Sequence, residues 1–372
     1  MWWMMNLAMA GTVQPAWTAR LDEVPSGDGV QLMGVDPGGE HGWLRVNLDS
    51  GAALWQVDLR RGRVDGVWQQ QGSDPELAFA WGSLYPLVQS APELHRMLLV
   101  QGHIAGLGRW SNLAVAPAGP WAAWERPTRA GGDGIGLRGP QGDRSLASDL
   151  YAAYRPRFDR AGQRVAFTGT GRPTRYRVFV EDLDGGERVE VGDMGHASWF
   201  EWDRDDALWV LSSDDTGTDG AGCLSVVRDG VAEHVACPSD ATGTTLAIMD
   251  PAGELVVYGW YRGEGVATEL SLVVVHTPSQ AVVARHVVPT GRTLQALRSD
   301  GRLVVGTLEG SEVVDLHSGR RGALPDDLWA PVTVHFVDGR LPMLRHRMWT
   351  RDVSVVWVDP DQALRGKRPP TP

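Results

Sequence analysis

Residues 158–167 read FDRAGQRVAF: an apolar residue, a polar turn that contains a glycine, and then a short apolar strand. The pattern returns as MDPAGELVVY at 249–258 and as LRSDGRLVV at 297–305. Shorter or altered copies begin at positions 35, 115, 202 and 336, and the copy at 202 has Asp206 at the glycine position. A pattern that recurs about every 40 to 48 residues is typical of repeat architectures, and it decides the fold.

Each copy predicts a tight turn between two antiparallel strands, in which aspartate binds the turn's amides and glycine takes a positive φ. A third apolar strand and a second turn rich in Gly and Asp follow, as at 54–62, 178–186 and 313–319. One four-stranded sheet alone would expose two apolar faces, which radial stacking of several sheets buries. The sequence therefore predicts an all-β fold, a single β-propeller of four-stranded antiparallel blades.

The spacing of the turns predicts the number of blades. The turn positions are 39, 119, 162, 206, 253, 301 and 339, and the interval from 39 to 119 is wide enough for two units. That interval contains three plausible strands, at 77–81, 84–88 and 96–100, although a helix over 92–101 is an alternative. We predict eight blades, with seven as the alternative.

The two ends of the chain complement each other. The last unit has apolar runs at 332–336, 341–344 and 353–358 but lacks a fourth strand, while the segment 16–21 has no blade of its own. We expect this N-terminal strand to complete the last blade and close the ring, because closure removes exposed edges. The propeller then covers residues 15–362. Residues 1–14 form an apolar leader, either a remnant signal segment or unstructured, and 363–372 form a disordered polar tail.

The best-formed unit resembles a known repeat. YRPRFDRAGQRVAF at 154–167, followed by VFVEDLDGGE at 178–187, is similar to the TolB-type, WD-repeat-like β-propeller repeat. That repeat has a Ser-Pro-Asp-Gly turn, and the Ser-Pro pair is missing here. The resembling motifs are structural turns, so they transfer no catalytic residue. The resemblance implies a protein-interaction module or a propeller that precedes a peptidase domain.

Charge, hydropathy and the lack of a serine hydrolase motif argue against several classes of protein. The formal net charge is −11 and the arginines are spread over the chain, which argues against nucleic acid as a partner. No stretch approaches the roughly 20 apolar residues of a transmembrane helix. No Gly-x-Ser-x-Gly elbow of a serine hydrolase is present. We expect a monomer without a cofactor.

Metal sites have little support in the sequence. The loop at 214–220 resembles a calcium loop, with Asp215 and Asp219 as weak candidate ligands, but it lacks the closing glutamate. A solvated loop is the favoured interpretation, so no metal is predicted.

The two cysteines flank a hairpin turn. A three-residue loop centred on Gly230 sets Cys223 directly opposite Cys237, at a Cα separation of about 4.5 to 5.5 Å that suits a disulfide. We predict that bond, with two buried reduced thiols as the alternative. A disulfide implies an oxidising compartment, so an extracytoplasmic (periplasmic or secreted) bacterial protein is expected, with a cytoplasmic location as the alternative.

Two charged clusters stand out. Glu201, Asp203, Asp205 and Asp206 form an acidic one, and Arg345, His346, Arg347 and Arg351 form a basic one. Each could rim a binding surface, although solvated strand ends are the favoured interpretation.

No catalytic or binding residue is assigned by a local motif. Loops on a rigid propeller are where recognition concentrates, so the leading hypothesis is a non-catalytic binding or scaffold protein. Its ligand would be a protein, a peptide or a cell-envelope component. The alternative is an enzyme of the lyase or glycan hydrolase type, whose residues converge on the central channel. An axial pocket with perturbed pKa values would favour the enzyme, and an exposed aromatic patch would favour the binder.

Overall fold

The structure is a computed structural model. It describes residues 18–20, 29–35, 38–48, 51–71, 76–80, 83–87, 97–100, 103–106, 111–118, 121–127, 133–171, 176–191, 196–213, 222–228, 230–238, 245–262, 269–288, 291–307, 310–325, 328–330, 336–347 and 352–365.

The described segments form 32 strands and one short helix. The first strands along the chain are β1 (Thr18–Arg20), β2 (Val30–Val35), β3 (His41–Leu48), β4 (Gly51–Asp58), β5 (Arg63–Gln71), β6 (Glu76–Ala80), β7 (Ser83–Leu87), β8 (Met97–Val100) and β9 (His103–Gly106). The next are β10 (Ser111–Val115), β11 (Ala122–Pro127), β12 (Asp133–Gly139), β13 (Gly142–Leu146), β14 (Ala152–Phe158), β15 (Arg164–Thr170), β16 (Arg177–Asp182), β17 (Arg188–Glu190), β18 (Ala197–Trp202), β19 (Leu208–Ser212), β20 (Cys223–Arg228) and β21 (Val231–Ala236). The last are β22 (Thr245–Met249), β23 (Leu255–Arg262), β24 (Glu269–His276), β25 (Ala281–Val288), β26 (Gly291–Leu297), β27 (Arg302–Thr307), β28 (Gly310–Asp315), β29 (Arg321–Ala323), β30 (Leu328–Trp329), β31 (Leu341–Arg347), β32 (Asp352–Val358) and α1 (Pro360–Arg365).

Seven four-stranded antiparallel sheets account for most of these strands. Six of them are meanders of consecutive strands: β2–β5, β10–β13, β14–β17, β18–β21, β22–β25 and β26–β29. The seventh has the order β1-β32-β31-β30, with Ala19 opposite Val355. The N-terminal strand therefore supplies the fourth strand of the last sheet, as the sequence predicted. The expected strand at 332–336 lies largely outside the described residues.

The interval between the first two clear turns contains two hairpins. β6 pairs with β7, and β8 pairs with β9. The three expected strands are present, and β9 adds a fourth. The alternative helix over 92–101 is wrong where the structure describes it, because Met97–Val100 pairs antiparallel with His103–Gly106. That apolar run has four residues, and all four have a partner in the neighbouring strand.

The chain divides into two compact units, and each has its own core. The first unit comprises residues 1–77 and 291–372. One of its apolar clusters joins β2–β4 to β31 and β32, with Leu32, Leu44, Val355 and Trp357 among its members. A second cluster joins β26–β28 to the same last sheet. Each sheet in this unit thus buries an apolar face against a neighbouring sheet.

The second unit, residues 78–290, repeats this packing. Its apolar clusters join the β10–β13 sheet to β14–β17, that sheet to β18–β21, and the last to β22–β25. Strands in the middle of a sheet are covered on both faces, and β19 (Leu208–Ser212) is therefore buried at every position. This explains why such strands read as continuous apolar runs in the sequence.

The predicted turns have the expected backbone. Their glycines at 39, 162, 253, 301 and 339 all have positive φ, and Asp206 does as well, at 58°. The turn glycine at 119 lies outside the described residues. At Gly162 a Cβ atom would also lie only 2.0 Å from the carbonyl oxygen of Ala118, so both conformation and space require glycine there.

The C-terminal boundary differs from the expectation that a disordered tail begins at 363. α1 (Pro360–Arg365) carries the fold three residues further, with Ala363 and Leu364 buried in the core of the first unit. Arg320 donates a hydrogen bond of 2.7 Å to the carbonyl oxygen of Leu364. Apolar contact and this bond hold the segment in place. Residues 366–372 lie outside the described part of the chain.

Candidate functional site

The two cysteines lie opposite each other and form a disulfide. Arg228 pairs with Val231, so two residues connect β20 and β21, and the predicted three-residue loop is wrong. A bulge between the pairs Leu224–Ala236 and Ser225–His234 shifts the register by one residue. The shorter loop and the bulge compensate, and the Cα atoms of the two cysteines are 4.4 Å apart.

The acidic cluster at 201–206 is mostly structural. The expectation of a solvated strand end is wrong for Asp203, which is fully buried. Its Oδ1 accepts hydrogen bonds from the amides of Asp205 and Ala207, and its Oδ2 accepts one from the indole of Trp209, each at 2.9 Å. Asp206 accepts a bond of 2.8 Å from the amide of Arg160 in the preceding sheet. Asp205 is exposed and lies 3.5 Å from Arg204.

The remaining predicted positions are only partly described. Arg345 is half-buried on β31. His346 and Arg347 pair with Val353 and Asp352 through the backbone, but their side chains lie outside the described set. Arg351, Asp215 and Asp219 lie outside the described residues entirely.

A different group of polar and aromatic residues converges at positions for which the sequence predicted no function. We call it the Arg155 cluster: Tyr154, Arg155, Tyr176 and His196. Tyr154 and Arg155 lie on β14, the first strand of its sheet. Tyr176 precedes β16 of the same sheet, and His196 precedes β18, the first strand of the next sheet.

A bulge in β14 exposes Arg155. The register of β14 on β15 shifts between Tyr154 and Arg157, and Arg155 has φ 55°. This region is unfavourable for a residue with a bulky side chain and costs about 1 to 3 kcal/mol. The backbone is held there because the amide of Arg155 donates a bond of 2.7 Å to the Glu125 carboxylate. The exposed guanidinium donates one bond, among the described residues, to the carbonyl oxygen of Ser198 at 2.5 Å.

Three rings form a contiguous aromatic surface beside this arginine. The ring centroids of Tyr154 and Tyr176 are 5.7 Å apart, tilted by 54°. Those of Tyr176 and His196 are 5.2 Å apart in an edge-to-face arrangement. All three side chains are half-buried, so they are held in place and still reach the surface.

Two titratable groups on or beside β18 have shifted pKa values. Burial lowers the pKa of His196, and the nearby positive charge of Arg155 lowers it further. Burial raises the pKa of Glu201, while Arg157, with Nε 3.5 Å from its carboxylate, opposes that shift. His196 is therefore a neutral imidazole at pH 7, able to accept a proton or a hydrogen bond.

This arrangement suits the binding of an anionic group. A guanidinium has five N–H donors in a planar fork that matches a carboxylate, and most of those of Arg155 are not used within the described residues. The neighbouring rings supply apolar area at a low cost in side-chain entropy. The cluster is not predicted from the sequence, because residues 154–157 match a structural repeat. The one local signal is the Arg155–Pro156 pair, because a residue before proline is conformationally restricted.

A small pocket in the first unit is a weaker candidate. It has a volume of about 200 Å³ and is lined at the turns by Arg60, Asp338 and Arg340, with Trp357 at its side. Arg60 is already paired with Glu40 at 2.6 Å. Ligand pockets usually measure about 300 to 1,000 Å³. We therefore regard the Arg155 cluster as the candidate site.

Comparison with known proteins adds information about the fold alone. No family model and no curated protein sequence matches the chain. Among solved structures, an oligogalacturonate lyase in complex with manganese is similar at 10% identity and a TM-score of 0.52, over 93% of this chain and 92% of that chain. Prolyl endopeptidases are similar at 13% identity and a TM-score of 0.55, over 86% of this chain. This chain spans about half of their length, 55%.

The fold is that of a β-propeller. Successive four-stranded meanders that pack through their apolar faces define it. The propeller resembles the TolB type in its sequence repeat. TolB from Acinetobacter baumannii is among the similar structures, with 13% identity and a TM-score of 0.40 over 69% of this chain and 63% of that chain. Among the described residues, no helix of this propeller has the length and apolar character needed to cross a bilayer.

Proposed function

We propose that this chain is a non-catalytic binding propeller that recognises an acidic segment of a protein or peptide through the Arg155 cluster. One observation carries the proposal: a bulge with positive φ presents the guanidinium of Arg155 to solvent beside three fixed aromatic rings. Backbone strain of this kind concentrates at functional sites. Tyr and Arg are also among the residue types enriched at the hot spots near the centres of protein interfaces.

The charge of the whole molecule makes the local geometry decisive. With a formal net charge of −11, the protein as a whole repels anionic partners. Binding of a carboxylate therefore depends on a directional contact with Arg155 and not on the long-range electrostatic field of the protein. The aromatic rings favour a segment in which an acidic residue lies next to an apolar or aromatic one.

The position of the cluster in a complete propeller supports this use. We propose eight blades: the seven four-stranded sheets, and an eighth made by the two hairpins between 76 and 106, with the ring closed by β1. In such a ring the first strand of every blade lines the central channel, and loops at its mouth meet ligands.

We further propose a monomeric, extracytoplasmic protein, since the disulfide suits an oxidising compartment.

A displayed library of random linear peptides tests the proposal. The full chain is expected to enrich peptides that contain Asp or Glu beside an apolar residue. Arg155→Asn should weaken the binding of those peptides about tenfold or more, because asparagine tolerates positive φ and the fold is retained. Arg138→Gln is the matched control, since it removes an arginine that is paired with Asp143 at 2.7 Å in another strand. Equal binding by wild type and Arg155→Asn, or no enrichment at all, contradicts the proposal.

A lyase is the second candidate, favoured by the lowered pKa of His196 beside Arg155. A neutral imidazole next to a guanidinium could accept a proton from carbon while the cation neutralises a substrate carboxylate. The test is incubation with oligogalacturonate and Mn²⁺, following the ultraviolet absorbance of unsaturated products. Activity in wild type that His196→Asn abolishes supports the lyase. If the wild-type protein shows no lyase activity under these conditions, the lyase is refuted and the binding function remains the proposal.

A further inference from the structure

We propose that Cys223, His234 and Cys237 form a redox-gated metal site, which binds one thiophilic divalent cation such as Zn²⁺ when the disulfide is reduced. The potential ligand atoms of the three residues all lie within 4.8 Å of one another. The site lies on the β20–β21 hairpin and shares no residue with the Arg155 cluster. The proposed metal site is therefore tested independently of the proposed function.

The bulge in the hairpin brings these side chains together. Side chains alternate between faces along a regular strand, so residues 234 and 237, three positions apart, would point to opposite faces. The bulge inserts one extra residue between the pairs Ser225–His234 and Leu224–Ala236. His234 and Cys237 therefore share a face, and Cys223 lies on that face from across the hairpin.

The donor set has the chemistry of a zinc site. Two thiolates and one imidazole suit Zn²⁺, with metal–ligand distances of about 2.3 Å for sulfur and about 2.0 to 2.1 Å for nitrogen. The Oγ of Ser225 lies 2.9 Å from Nδ1 of His234 and orients the imidazole, a common role for a hydrogen-bonded neighbour of a metal-binding histidine. Three protein ligands leave a fourth position for water or an external ligand.

Exposure makes the disulfide accessible to a reductant. Cys237 and His234 are exposed, Cys223 is half-buried, and β21 is the last strand of its sheet. Exposed disulfides are typically the labile ones, while buried ones serve structure alone. An attacking thiolate can therefore reach this bond without unfolding the sheet.

The redox state decides whether the site is available. A dithiol reductant transfers two electrons and two protons to the Cys223–Cys237 bond and becomes a disulfide itself, which leaves two protein thiols. Metal binding then releases the two thiol protons to solvent as both sulfurs become thiolate ligands. The S–S bond and the two S–metal bonds use the same sulfur atoms, so the oxidised and metal-bound forms exclude each other.

Cobalt titration of the full chain tests the site, because Co²⁺ bound by thiolates has charge-transfer and d–d absorption bands. The chain is reduced with a trialkylphosphine, which is oxidised to its oxide as water supplies the thiol protons and which leaves no competing thiol. We expect about one Co²⁺ per chain after reduction, none before it, and displacement of Co²⁺ by Zn²⁺. No thiolate–cobalt bands in the reduced protein would overturn the proposal.

Variants separate the three ligands. Cys223→Ser and Cys237→Ser should each abolish the bands, and His234→Ala should weaken Co²⁺ binding by about tenfold or more. His276→Ala is the matched control, because His276 also contacts a serine, with Nδ1 2.8 Å from Ser279 Oγ, but is not part of the cysteine group. Equal binding by wild type and His234→Ala contradicts the three-ligand site.

Folding of the reduced chain is measured separately by near-ultraviolet circular dichroism. If reduction loosens the hairpin, added Zn²⁺ should restore the spectrum and raise the melting temperature, since binding to the folded state stabilises it. Zn²⁺ should also slow reoxidation by oxidised glutathione. Failure of both effects counts against the proposal.

Discussion

Asp203 offers the sharpest test of how this propeller is held together. Its buried carboxylate accepts hydrogen bonds from two turn amides through Oδ1 and from the indole of Trp209 through Oδ2. In Asp203→Asn one oxygen becomes an NH₂ donor. If the remaining oxygen keeps the amides of Asp205 and Ala207, the new NH₂ faces the Trp209 N–H, and two donors meet where no solvent reaches.

The expected cost follows from these contacts. A hydrogen bond to a charged group contributes about 1.5 to 3 kcal/mol, and a buried donor left unpaired costs about 1 to 3 kcal/mol. We expect Asp203→Asn to lower the free energy of unfolding by about 3 kcal/mol and Asp203→Ala by about 5 kcal/mol. Asp205→Asn is the control: its carboxylate is 54% exposed beside Arg204, so it should cost less than about 1 kcal/mol.

Scanning calorimetry measures the effect. An unfolding entropy of about 2.1 cal/mol/K per residue converts 3 kcal/mol into a fall in melting temperature of about 4 °C if the whole chain unfolds together. The fall is about 7 °C if the unit of residues 78–290 unfolds by itself. Near-ultraviolet circular dichroism should show the same shift. If Asp203→Asn melts within 1 °C of Asp205→Asn, the buried-acceptor reasoning is refuted.

Three further outcomes are expected. Thiol titration of the unfolded, unreduced protein should find no free thiol at Cys223 or Cys237, and removal of the disulfide should cost about 3 kcal/mol in the loop-entropy model; two reactive thiols would contradict the bond. The pKa of His196 is lower in the folded state than in the unfolded state, so the unfolded state binds the proton first as the pH falls below about 6.5. Stability should therefore decrease with falling pH through that window, and denaturant melts should show a weaker decrease in His196→Gln; an unchanged slope contradicts the assignment. Gly162→Ala should destabilise more than Gly186→Ala in urea titrations, because both have φ 66° but a Cβ at 162 meets a backbone oxygen at 2.0 Å while one at 186 meets nothing within 4 Å; equal losses would show that φ alone matters.

The repeat and its turns could be predicted from the sequence because they depend on neighbours within about ten residues. Aspartate accepts bonds from amides of its own turn, and glycine takes the positive φ, so a local pattern suffices. Gly253 and Gly301 have that backbone, as does Asp206 at its altered turn. The pairing of the N-terminal strand with β32 was also predictable, since the last unit lacked one strand.

Features that depend on register were predicted only in part. The cysteines face each other, but through a two-residue connection and a bulge in place of the three-residue loop. No residue type in 231–237 marks the bulge in advance, and it alone decides that His234 shares a face with Cys237. Asp203 was expected in solvent because acidic residues usually lie there, yet its partners include the indole of Trp209, six positions away.

The sequence by itself determined a series of Asp-Gly turns between short apolar strands, and with it the four-stranded unit and its repetition. Only the tertiary structure decided which side chains of different sheets meet. The Arg155 cluster needs a bulge in β14 and the carboxylate of Glu125 from another sheet. It also needs His196, which lies beside β18, the first strand of the next sheet. Turn chemistry is encoded within a few adjacent residues, whereas convergence depends on how sheets pack and on where a strand gains one extra residue.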